Sequence, residues 1–119
     1  MIKKRILILF VGLIITAAIM AQTKSKIVLD EDIQLTHLQD SIFVHTSWYQ
    51  TQDFGRVPAN GLLIIRNGQA VLVDTPWDNE MTRQLTEFIE DSLYAHIVKL
   101  IVGHYHEDCM GGLEYLQNR

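Results

Sequence analysis

Along this chain the spacing of apolar residues changes several times, and each change marks an element. Ile6 to Met20 is an almost unbroken apolar run behind the cationic start Lys3-Lys4-Arg5. Between Asp30 and Asp40, Ile33, Leu35 and Leu38 are interleaved with polar residues, which predicts a lead-in or first strand. Ile42-Phe43-Val44-His45-Thr46 is β-rich and predicts a strand. Trp48 to Ala59, with Gly55 and Pro58, reads as a long loop. Leu62–Arg66 and Gln69–Asp74 flank Asn67-Gly68, a hairpin signal because both central residues of such a turn need positive φ. Both strands are apolar at successive positions, so the sheet is expected to be covered on both faces.

Thr75-Pro76-Trp77-Asp78 offers a cap at Thr75 or Asp78. Met81, Leu85, Phe88, Ile89 and Leu93 then recur at helical spacing, with Glu80, Arg83, Glu87 and Glu90 between them: an amphipathic helix. Ile97–Val102 is a short apolar strand, followed by a loop, Gly111-Gly112 and a helix from Leu113. Hairpin, helix, strand, loop and helix make an α/β chain, a mixed sheet layered by helices.

At 119 residues, 48% apolar and 20% charged, the chain has room for one globular domain. Its formal charge of −4 includes the cations of the first five residues; without those three it is −7. An acidic body of this kind argues against a nucleic-acid partner. The cationic start, apolar run and small Ala21 have the layout of a secretory signal over residues 1–21, leaving 22–119 as the exported domain. The apolar run is shorter than the ~18–20 residues of a stable membrane span, so no lasting membrane anchor is expected. Cys109 is the only cysteine and has no partner within the chain.

The candidate chemistry lies after the last strand. His104, His106 and Asp108 occupy alternate positions beyond its carboxyl end, where ligands of open α/β sheets commonly bind. In an extended segment the two imidazoles and the carboxylate point to one side, and they are suitable ligands for Zn²⁺. Gly111-Gly112 permits close backbone approach. His37, His45 and His96 lack such company and read as solvated or structural. Asp74 is either an acceptor steadying the metal loop or an ordinary strand-end cap. Trp48, Tyr49, Phe54 and Val57 either fold back onto the body or form a ligand-covering flap.

His104-Tyr105-His106-Glu107-Asp108-Cys109-Met110-Gly111-Gly112 resembles the His-x-His-x-Asp signature of the metallo-β-lactamase fold. Cys109 stands where most hydrolases of that fold carry a further histidine, a departure that resembles the first subclass of class B (zinc) β-lactamases. Val44-His45-Thr46-Ser47, Val57-Pro58-Ala59-Asn60-Gly61 and Asp74-Thr75-Pro76-Trp77 resemble segments of those enzymes in the same order. Cys109 and Leu113-Glu114-Tyr115-Leu116-Gln117 are most similar to the carbapenem-hydrolysing enzymes of Bacteroides-type bacteria.

The resemblance implies an αβ/βα sandwich, of which this chain supplies roughly the first half. It implies zinc-dependent β-lactam hydrolysis, carbapenems included, by a periplasmic monomer binding two zinc ions. His104 and His106 would bind the first zinc. Asp108 would bind the second and act in catalysis by orienting the attacking water. Trp48, Tyr49, Phe54 and Val57 would form a substrate flap, and Cys109 would be a free thiol at the site's edge. Family members are about twice this length, so the remaining ligands are expected beyond Arg119, and the 119 residues alone are expected to be inactive. Two rivals are a lactonase or thioesterase of the same fold and a non-catalytic exported zinc-binding module.

Overall fold

The computed structural model describes residues 24–119; the expected signal segment 1–21 lies outside them. Six strands form one sheet in chain order: β1 (Lys26–Asp30), β2 (Ile33–Gln39), β3 (Ile42–Thr51), β4 (Gly55–Arg66), β5 (Gln69–Val73) and β6 (His96–Ile101). The first five are antiparallel neighbours, and β6 runs parallel to β5. Such a parallel return needs a crossover, and helix α1 (Asn79–Leu93) supplies it. Short helices α2 (Glu107–Met110) and α3 (Leu113–Gln117) follow β6.

The Asn67-Gly68 hairpin forms as expected, with φ of 52° and 73° at its two central residues. Asp78, rather than Thr75, caps α1: its carboxylate accepts the Met81 N–H at 2.8 Å. The helix ends at Tyr94 in the left-handed region, where the Ala95 N–H returns to the Ile89 carbonyl at 3.1 Å. Leu85 and Ile89 face the sheet and close the core with Ile33, Leu35, Leu63, Ala70, Leu72 and Ala95. Arg83 on the outer side pairs with Glu80 and Glu87.

Three expectations need correction. Trp48–Ala59 is not a long loop. β3 and β4 stay paired through Trp48↔Pro58, Tyr49↔Val57 and Thr51↔Gly55, leaving only residues 52–54 as the turn. The turn is tight because the Thr51 hydroxyl accepts the Phe54 N–H at 3.0 Å and Gly55 takes φ 69°. Pro58 is tolerated there because β5 joins β4 only from Leu62 onward, so Pro58 lies on an edge. Second, Asp30–Asp40 holds a strand, β2, but not the first: β1 precedes it, with Asp30↔Ile33 closing the turn between them. Third, the described residues cover only one face of the sheet. Along β4, Ala59, Gly61 and Leu63 are buried while Asn60 and Ile64 are exposed, and Ile101 on β6 is 48% exposed.

Candidate metal centre

The segment leaving β5 builds the back of the site. Asp74 takes a left-handed φ of 59° and donates its N–H to the Ile101 carbonyl at 2.8 Å. This turns its carboxylate toward the start of the next loop, where Oδ1 accepts the Gly103 N–H at 2.5 Å. A Cβ on residue 103 would approach that oxygen to 3.1 Å, so glycine suits the contact. The Asp74 carboxylate, left open between two readings, thus contacts the start of the loop.

Thr75 adds two further ties. Its N–H donates to the Cys109 carbonyl at 2.8 Å, and its hydroxyl accepts the Gly112 N–H at 2.9 Å. The glycine pair permits this approach. A Cβ at Gly111 would lie 1.9 Å from the Trp77 carbonyl oxygen, and one at Gly112 would lie 1.8 Å from Thr82 Oγ1.

Held in this way, the loop brings His104, His106 and Asp108 together, with a ligand atom of each within 4.8 Å of the others. The segment is not extended, as alternation had suggested. Residues 103–106 bend and His106 precedes the first turn of α2, so a bend and a helical turn produce the convergence. His104 Nε2 lies 3.6 Å from Asp108 Oδ1, and the two imidazole rings meet edge to face with centroids 4.5 Å apart. Ligands around zinc at ~2.1 Å stand no more than ~4.2 Å apart. The donor set therefore suits a metal centre after a small closing movement, chiefly of the exposed His104 and His106.

Cys109 is buried behind the cluster, its Sγ 3.1 Å from His104 Nδ1. Burial, with the Asp74 and Asp108 carboxylates nearby, pushes the thiol up to about 11. At neutral pH it stays a thiol and is a poor nucleophile.

The other histidines stand apart from the cluster. His37 Nε2 meets the Asp40 carbonyl at 2.8 Å, and His96 is exposed near Glu90. His45 is buried against the carbonyls of Val73 and Asp74, and burial holds its pKa down, so the ring is neutral. Among the aromatic candidates, Tyr49 stacks on Trp77 with centroids 5.5 Å apart, and Arg56 lies over Trp48 at 4.9 Å. Val57 is half-buried opposite Tyr49, and Phe54 is exposed at the turn. Trp77 lines a shallow hollow with Tyr105, His106, Glu107 and Asp108. Sequence reasoning placed Trp77 near a helix cap and in one of the segments that carry the family resemblance, but gave it no part in the site. Its position as the link between the ribbon and the cluster depends on the stacking of Tyr49 across the fold.

No family model matches the chain. It is 38% identical over 111 residues to a metallo-beta-lactamase type 2 of Bacteroides fragilis, covering 93% of this chain and 44% of the relative. A metallo-beta-lactamase type 2 of Pseudomonas aeruginosa is 33% identical over 88 residues, covering 74% of this chain and 35% of the relative. The crystal structure of a metallo-beta-lactamase from Erythrobacter litoralis superposes with a TM-score of 0.74 at 30% identity, covering 79% of this chain and 41% of that one. FIM-1 of Pseudomonas aeruginosa, a metallo-beta-lactamase in its mono-zinc form, superposes with a TM-score of 0.69 at 32% identity over 76% of this chain and 41% of that one. The chain spans less than half the length of these relatives. In sequence and in fold, the chain matches about the first half of class B metallo-beta-lactamases.

Proposed function

We propose that the protein containing these residues is a zinc-dependent hydrolase of the β-lactam amide bond, with carbapenems among its substrates. The observation that carries this reading is the convergence of His104, His106 and Asp108 on the loop after β6. The support from relatives is their name, metallo-beta-lactamase, at up to 38% identity. Zinc, when bound, supplies a nucleophile derived from water at neutral pH and stabilises charge developing on the substrate carbonyl.

The chain's own residues have distinct parts in this reading. His104 and His106 offer ring nitrogens to a first zinc, and Asp108 offers a carboxylate to a second. That carboxylate also accepts a hydrogen bond from the attacking water and aims it. Trp77 and Tyr49 form an aromatic wall beside His106, against which the apolar part of a substrate can lie. Trp48, Phe54 and Val57 complete the ribbon proposed to close over it. Cys109 takes no part as a nucleophile. The protein acts as a monomer in the periplasm, following export directed by residues 1–21.

The test is turnover of a carbapenem and a cephalosporin by the protein as its gene encodes it. Hydrolysis should disappear with a chelator and return with two zinc ions per chain. Turnover indifferent to the chelator, or lactones and thioesters cleaved in preference, would sink the proposal. The 119 residues alone should give no turnover above a zinc-only blank.

A further inference from the structure

The centre of the sheet holds an imidazole outside the metal cluster. His45 on β3 is 1% exposed, and its Nε2 lies 3.3 Å from the Val73 carbonyl oxygen and 3.1 Å from that of Asp74. These two carbonyls are consecutive and stand where the β4–β5 ladder stops, at Leu62↔Val73. Carbonyls shielded from water need donors, and here a side chain from β3 reaches across β4 to meet both.

Gly61 shows that the space is reserved. It faces His45 across the ladder, and a Cβ there would fall 2.2 Å from His45 Nε2 and 2.3 Å from the Val73 oxygen. The imidazole therefore reaches the end of β5 through the place that a side chain at 61 would fill. What it meets there is the left-handed Asp74, whose carboxylate holds the Gly103 N–H.

We propose that His45 is a positioning residue for the metal loop. By donating from Nε2 to the carbonyls of Val73 and Asp74, it fixes the turn that aims the Asp74 carboxylate at Gly103. It thereby sets where His104, His106 and Asp108 converge. The inference rests on the metal-centre reading above. Only the tautomer with the proton on Nε2 can make these bonds. Nδ1 is then a bare acceptor, and it has no partner among the described residues.

The experiment measures zinc affinity by competition with a chromogenic chelator, on the protein as its gene encodes it. His45→Phe keeps the ring volume and removes the donor; affinity should fall by about 10-fold, the low end of the loss seen when direct partners of metal ligands are removed, since His45 acts through Asp74. In His45→Gln the amide nitrogen can reach the same carbonyls, so most of the affinity should return. Ser47→Ala, at a buried neighbour on the same face of β3, should change nothing. A folded His45→Phe protein with unaltered zinc affinity would overturn the proposal, because a merely structural histidine affects stability and not the metal.

Nitrogen-detected NMR of the wild-type ring decides the matter if the Phe variant does not fold. A proton on Nε2 and a slowly exchanging Gly103 amide are expected, and a proton on Nδ1 instead would refute the role. Should the wild type take up no zinc, the metal reading fails by itself. The positioning role is then judged on the Gly103 amide, which His45→Gln should keep protected and His45→Phe should expose; protection unchanged in the Phe protein refutes it.

Discussion

Two segments border the candidate site, and they are held in opposite ways. The loop over residues 103–112 is fixed through its backbone: Gly103 to the Asp74 carboxylate, Cys109 to the Thr75 N–H, and Gly112 to the Thr75 hydroxyl. Thr75 and Thr82, against which the loop rests, are buried. The β3–β4 ribbon beyond the main sheet has one backbone tie, from the Trp48 N–H to the Asp32 carbonyl, and is otherwise held through exposed or half-buried side chains: Arg56 to Asp32, Arg56 on Trp48 and Tyr49 on Trp77. Breaking a buried hydrogen bond such as that of Gly112 to Thr75 leaves an orphan costing ~1–3 kcal/mol; the Gly103 bond is exposed, and exposed ion pairs contribute ~0–1 kcal/mol. The segment that must keep metal ligands in register is thus pinned, and the segment that would meet a substrate is lightly held.

The contrast can be broken most severely at Gly111. A side chain there collides with the Trp77 backbone, so Gly111→Ala should cost about 3 kcal/mol or more, read from the urea midpoint. A loss below 1 kcal/mol would mean that the loop is not pinned. Asp74→Ala frees Gly103 and should weaken zinc binding about 10- to 100-fold, measured by isothermal titration, with a smaller change in stability. Equal zinc affinity in that variant would detach the loop's anchoring from its metal chemistry.

Cys109 sharpens the same point kinetically. Because its thiol is pushed up to about 11, its reaction with a disulfide reagent in chelator-treated protein should keep rising tenfold per pH unit past pH 9. A plateau near pH 9 would show the thiol to be open to water. The smallest effect is expected in the ribbon. Arg56→Ala should change stability by no more than about 1 kcal/mol and leave zinc affinity unaltered, by the same two assays.

What could be read from sequence follows the range of the forces involved. The Asn67-Gly68 turn was legible because its cause lies in two residues. The His104, His106 and Asp108 group was legible because its members are separated by single residues, although bending and α2, rather than an extended strand, bring them together. Trp48–Ala59 was not legible as a ribbon, since Gly55 and Pro58 signal a loop locally and only pairing with the opposite strand overrides them. The role of Asp74 stayed open because its left-handed turn depends on contacts to Ile101 and Gly103, nearly thirty positions away. Nothing near His45 or Gly61 in the chain reveals that one makes room for the other.

The strand order has a consequence for assembly. Each of β2 to β5 pairs with its predecessor through a short turn, so each closure costs little chain entropy. β6 alone must wait for residues 74–95 to fold back before it meets β5. The Asp74–Gly103 and Thr75–Gly112 bonds can form only after that return. The metal-bearing loop is therefore the last part of this sheet to be completed, and pulse-labelled exchange should find the Gly103 amide protected later than those of β2 and β3. Until α1 has docked the ligands stay unassembled, and a passing metal ion meets separate histidines rather than a site.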